Sequence, residues 1–227
     1  MRSKGDEAMK KKELIRRSYL FDVEARDTDN GSIITGRPIV YDSVTNIGDM
    51  FYETIDKGAL NATDLTDVRF LVNHNMDMIP LARSRRNNGN STMKLTPDLE
   101  GLSIEVNIDT ENNADARALY SAVKRGDITG MSFAFSVDSE SWDDINGVMP
   151  TRHITSIASV VEVSAVTWPA YEATEINARS EEVLESAKAT LESARRKLGV
   201  ENLVETRNTN EQELELEKAK FQFKAII

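Results

Sequence analysis

Residues 153–167 read His-Ile-Thr-Ser-Ile-Ala-Ser-Val-Val-Glu-Val-Ser-Ala-Val-Thr. The run is dense in Val, Ile and Thr, whose branched Cβ atoms suit an extended, pleated backbone. No glycine or proline interrupts it before Trp168-Pro169-Ala170. We read it as one long, mostly buried strand. Glu162 stands in its middle, between Val161 and Val163. An unpaired carboxylate is costly to bury, so this one needs a partner. With an arginine or backbone amides as partner, the glutamate is structural. With an imidazole as partner, it is the orienting acid of a triad. The residues alone leave both readings open.

Working outward, Gly130–Val137 alternates: Phe133, Phe135 and Val137 share one face, and Ser132, Ala134 and Ser136 the other. A serine so placed is usually a small polar residue on a half-buried surface. It becomes a nucleophile only with a base in reach. The chain has two histidines, His74 and His153. Val68, Phe70 and Val72 share a face, and His74 continues that parity at the expected strand end. Met93–Leu95 and Leu102–Ile108 form an expected hairpin around residues 97–101. Ala116, Leu119, Tyr120 and Val123 recur at helical spacing within an expected helix 113–124, which Gly126 stops. Tyr19–Val23 and Ile33–Tyr41 read as early strands on either side of a turn at residues 27–31.

The two ends differ from this strand-rich middle. Residues 1–12 are polar and charged, and Met9 offers an alternative start. Leu184, Ala187, Leu191, Ala194 and Leu198 follow an a/d heptad pattern, with Glu181 and Glu182 before them and Arg195, Arg196 and Lys197 near their end. Residues 201–213 read as a linker. The final segment has both a helix-capping signal at Asn210 and strand-like alternation. The expected plan is a leader over residues 1–17, a main domain over 18–178 and a helical extension over 179–227.

Composition excludes several function classes. The 227 residues carry a net charge of −10, which disfavours nucleic-acid backbones and anionic membranes as partners. There is no cysteine, so disulfides, thiolate metal sites and a cysteine nucleophile are out. No close metal-ligand spacing, phosphate-binding glycine loop or G-x-S-x-G elbow occurs. We therefore expect no metal and no cofactor. No run approaches the roughly 18 apolar residues of a membrane helix.

Five short segments, in order, resemble the prohead protease family of tailed phages. Tyr52-Glu53-Thr54-Ile55-Asp56-Lys57-Gly58-Ala59-Leu60 resembles its "E-x-I-x-x-G-A-F" segment. Leu71-Val72-Asn73-His74-Asn75, followed by Pro80-Leu81-Ala82-Arg83, resembles its histidine motif. Val123-Lys124-Arg125-Gly126 and Met131-Ser132-Phe133-Ala134-Phe135 resemble "V-R-R-G" and the serine motif "M-S-F-G-F". Glu162-Val163-Ser164-Ala165-Val166-Thr167-Trp168-Pro169-Ala170 resembles "E-V-S-L-V-T-x-P-A". Leu60, Asn75, Ala82 and Ala134 depart from the pattern, but none replaces the serine or the histidine.

The resemblance, which covers residues 18–178, implies a mainly β, α+β fold similar to herpesvirus assembly proteases: a closed or nearly closed β-barrel surrounded by helices, to which the heptad pattern adds a helical C-terminal extension. It implies a serine endopeptidase with Ser132 as nucleophile, His74 as base and Glu162 as third member, with His153 and Glu105 as the other candidates for that place. Arg83 and Arg152 are candidate oxyanion donors. The implied substrates are segments of the major capsid protein precursor and scaffold, cut inside the assembling prohead in the host cytoplasm, and the protease itself. The herpesvirus analogy adds a homodimer. The resemblance does not cover the tail, whose acidic charge and heptad pattern leave three readings open: a segment that docks the enzyme on scaffold or capsid subunits, an autolytic segment, or a helical hairpin packed on the barrel. The competing reading is a non-catalytic acidic scaffold or assembly chaperone with a protease-like fold.

Overall fold

The computed structural model describes residues 14–20, 23–29, 31–86, 89–167 and 181–199. The long strand is present as β11 (Thr151–Val166), and it organises the molecule. On one side it pairs antiparallel with β10 (Gly130–Asp143) along its whole length. Its other side is shared. The first residues pair in parallel with β5 (Phe51–Ile55), and the last with β6 (Arg69–Val72). Strand β1 (Ile15–Leu20) pairs antiparallel with the outer side of β10. Strand β4 (Thr45–Ile47) lies outside β5, and β7 (Ala82–Arg83) outside β6. These seven strands form one sheet.

A second, antiparallel sheet has the order β2-β3-β9-β8, with β2 at Glu24–Thr28, β3 at Gly31–Val40, β8 at Met93–Pro97 and β9 at Gly101–Ile108. The core includes Phe70, Phe133, Phe135 and Val163 from the first sheet and Ile34, Leu95, Leu102 and Val106 from the second. Helix α1 (Ala114–Arg125) adds Ala116, Leu119, Tyr120 and Val123. Its ends follow from the sequence. The Asn113 side chain accepts from the Asp115 and Ala116 amides, and Gly126 takes the left-handed conformation at φ 78°.

The α+β class is as expected, but the barrel is not. Among the described residues neither sheet closes on itself: the first ends at β1, β4 and β7, and the second at β2 and β8. Two short parallel partners share one side of β11, so the sheet branches there, and no pairing joins β1 to β4 or β7. Strand β1 also starts at Ile15, inside the expected leader, and Ile15 is buried in the core. Helix α2 (Glu181–Lys197) occupies the expected extension. Its apolar stripe is used within the chain, where Ala187 and Leu191 pack with Ile47 and Phe51 beside Trp142. Residues 1–13 and 200–227 lie outside the described residues, and so do the expected linker and final segment.

Candidate active site

The end of β6 sets the geometry. The chain leaves Val72 through a tight turn in which the Asn75 amide donates to the Val72 carbonyl at 3.1 Å. The two central residues, Asn73 and His74, have φ of 50° and 58°. Positive φ at both centres defines a type I′ turn, and asparagine tolerates it better than most residues. His74 therefore sits in a turn and does not extend the strand as its parity had implied. The turn is tied to β11. The Asn73 amide donates to the Ala165 carbonyl at 3.0 Å, and the Asn73 side-chain oxygen accepts from the Thr167 amide at 3.0 Å and hydroxyl at 3.2 Å.

The turn brings the His74 ring to Glu162. His74 Nδ1 lies 2.5 Å from Glu162 Oε1. The second carboxylate oxygen, Oε2, accepts from the Ser164 hydroxyl at 2.5 Å, and the same hydroxyl oxygen accepts from the His74 amide at 3.1 Å. Ser164 thus holds both the glutamate and the backbone of the histidine. Glu162 is 1% exposed, so the carboxylate meets its hydrogen-bonding partners out of water. With Nδ1 committed to Glu162, Nε2 is the ring nitrogen left for proton transfer.

Ser132 is on the adjacent strand. It stands opposite Ser164 in the β10–β11 register, and Ala134 stands opposite Glu162. Cross-strand partners share a face, so Ser132 shares its face with Ser164 and Glu162. Ser132 is fully buried. Its hydroxyl donates to the Arg17 carbonyl of β1 at 2.7 Å.

The other expected residues are not gathered here. His153 is near the opposite end of β11, with Nδ1 at 3.0 Å from Asp56 and Nε2 at 3.3 Å from Asp143. Eight residues of β11, with several register shifts against β10 among them, separate it from Glu162. Glu105 belongs to the second sheet and pairs at the surface with Arg26. Arg83 binds Asp67 through Nε at 2.6 Å and Nη2 at 2.7 Å. That hydrogen bond holds the Asp67 carboxyl below its usual range. Arg152 is buried between Glu53 and Glu140 and makes its hydrogen bonds to them and not to Ser132, His74 or Glu162. Of the three candidates for third member, only Glu162 contacts the His74 ring.

Ser164 and Asn73 carry more of this geometry than their sequence signals indicated. Asn73 was readable in principle, because Asn before a turn histidine favours positive φ. Ser164 was readable only as a hydroxyl two residues from a buried glutamate, on the same strand face.

The open two-sheet α+β fold thus carries Ser132 and the buried Glu162 on neighbouring strands and His74 in the turn that follows β6. The chain belongs to the caudovirus prohead serine protease family, whose model matches residues 20–189. Among solved structures, the bacteriophage T4 capsid assembly protease is similar at 14% identity and a TM-score of 0.43, over 68% of this chain and 97% of that one. No curated protein matches.

Proposed function

We propose that this chain is the serine endopeptidase of phage head maturation, with Ser132 as nucleophile, His74 as general base and Glu162 as the acid that orients it. The observation that carries the reading is the 2.5 Å contact between His74 Nδ1 and the buried Glu162 carboxylate. Such a pairing fixes the tautomer and stabilises the imidazolium that forms during attack. In the cycle, Ser132 Oγ attacks the scissile carbonyl carbon and His74 Nε2 takes the hydroxyl proton. The C–N bond then breaks, and His74 returns the proton to the leaving amine. Water repeats the sequence on the acyl-enzyme and restores Ser132. With the guanidinium groups of Arg83 and Arg152 committed to carboxylates, backbone amides are the better candidates for the oxyanion.

The substrates in this reading are extended segments of the capsid precursor and scaffold inside the assembling shell, and the protease's own chain. In this reading residues 18–178 form the catalytic unit, with β1 joining its sheet from Ile15, and the C-terminal extension adds the packed helix α2. The test is intact mass after co-expression with the capsid precursor. Wild type shortens the precursor, and Ser132→Ala leaves it whole. Identical cleavage in both cases would assign the activity to a host enzyme, and no cleavage by wild type inside assembled shells would remove the protease reading.

A further inference from the structure

Strand β1 occupies the outer side of β10, the strand that carries Ser132, and does so in the manner of a bound extended peptide. It runs antiparallel through six register pairs, with Ser18 opposite Ser132 and Arg17 opposite Phe133. Its Arg17 carbonyl is the group that receives the Ser132 hydroxyl. The Arg17 side chain reaches in the other direction, to a carboxylate that is 1% exposed. Arg17 Nη2 donates to Glu53 Oε2 at 2.8 Å, and Nε contacts Oε1, so the pairing is bidentate. Arg152 Nη1 donates to the same Oε2 at 2.9 Å, and Arg152 Nε binds Glu140 at 2.9 Å.

These four side chains bring two guanidinium groups and two carboxylates together, with Glu53 the most deeply buried of them. Without Arg17, two carboxylates face one guanidinium and the remainder is negative. A buried net charge is unfavourable, so the pocket calls for a cation at the place where the Arg17 side chain enters. Burial pushes the Glu53 carboxyl up, but Arg17 and Arg152 outweigh it and hold it below the usual range. Room is available beside the strand: a cavity of about 670 Å³ opens between Ile15, Glu140, Trp142, Arg152 and Ala194.

We propose that the edge of β10 covered by β1 is the substrate-docking edge, and that Glu53 selects an Arg or Lys side chain at the residue whose carbonyl meets Ser132. Strand β1 is then the resident occupant. A substrate strand displaces it, pairs with β10 in the same register, and is cut after the basic residue. The inference rests on Ser132 as the nucleophile. It also accounts for the burial of Ser132 in the free protein, where the hydroxyl is turned to the β1 backbone.

The test uses the full-length Ser132→Ala protein and a synthetic peptide copying residues 12–23, with Arg, Ala or Glu at the place of Arg17. Binding is read by fluorescence anisotropy, and release of β1 by amide hydrogen exchange of residues 15–20. A buried charge-assisted pair predicts at least about tenfold tighter binding of the Arg peptide than of the Ala peptide, with faster exchange in β1. Arg17→Ala in the protein loosens the resident strand and raises peptide affinity, whereas Glu53→Gln removes the preference for Arg. Should Glu53→Gln fail to fold, the three peptides on the unaltered pocket still decide. Equal affinities, or binding with no change in β1 exchange, overturn the proposal. Incubation of the peptides with wild type separates it from the catalytic reading. Arg-selective binding without cleavage sustains Glu53 as the selector on this edge and removes the protease assignment together with the cut after the basic residue, whereas cleavage indifferent to the basic residue removes Glu53 as selector and leaves the protease assignment standing.

Discussion

Glu162→Gln separates a catalytic carboxylate from a structural one, because the two roles predict opposite effects on stability. Two donors converge on Glu162: the His74 ring through Nδ1 at 2.5 Å and the Ser164 hydroxyl at 2.5 Å. A carboxylate accepts both, but an amide can accept only one and presents an NH₂ to the other. If the NH₂ faces His74, Nδ1 becomes the acceptor and the proton moves to Nε2, where it blocks base function. The analogous change in the Ser-His-Asp template of chymotrypsin lowers kcat about 10⁴-fold, roughly 5.5 kcal/mol at 1.36 kcal/mol per decade. We expect a loss of about 10³–10⁴-fold here.

Stability should move little or upward. Among the described residues, the Glu162 oxygens meet a histidine ring and a serine hydroxyl and no Lys or Arg. Removing a buried charge with that little compensation is worth about 0–2 kcal/mol of added stability, less any cost of the mismatched donor. The assay is cleavage of the capsid precursor, run beside urea denaturation of the same preparations. Activity within tenfold of wild type, together with a stability loss above about 2 kcal/mol, would show that Glu162 is a structural residue and would refute the triad.

Three further outcomes are expected from contacts elsewhere in the site and the fold. Ser164→Ala removes the hydroxyl that joins Glu162 to the His74 amide; kcat should fall about 10–100-fold through misplacement of the ring, with a shifted kcat–pH profile and recovery in Ser164→Thr. Gly101→Ala should destabilise the protein by more than about 3 kcal/mol in urea denaturation, because Gly101 has φ 148° and an added Cβ would lie 2.0 Å from the Ile39 carbonyl oxygen. The Asp98 carboxyl is held down to about 2, from an ordinary 3.8, chiefly by its hydrogen bond from Arg37. A depressed folded-state value means that its stabilisation is present above about pH 4 and is lost as pH falls from there toward 2, so Asp98→Asn should flatten the acid limb of the stability–pH curve.

How much was legible beforehand depended on how local the determinant was. The long strand, the hairpin and α1 were readable because branched residues, alternation, an asparagine cap and a stop glycine all act within a few residues. Glu162 was legible as an anomaly, a charge within an apolar strand. The turn at His74 was missed because parity alone does not reveal where a strand stops. Strand β1 was read too late in the chain, since Ile15 and Arg17 sit among charged neighbours and show their role only against Glu53 and the core. The barrel was inherited from a resemblance, and strand closure depends on pairing, which no local pattern encodes.

By itself, then, the sequence determined the strand-rich class, the scarcity of imidazole bases and the need of one buried carboxylate for a partner. Which residue became that partner was decided in three dimensions. His74 and Glu162 are 88 positions apart, and they meet because β6 pairs in parallel with the last residues of β11. A one-residue slip in that register would turn Glu162 to the other face. The same holds for Ser132, whose hydroxyl faces Arg17 only because an N-terminal strand covers the outer side of β10. Side-chain periodicity is a property of the local backbone, whereas register is settled by the packing of the whole sheet, and that packing placed these three side chains.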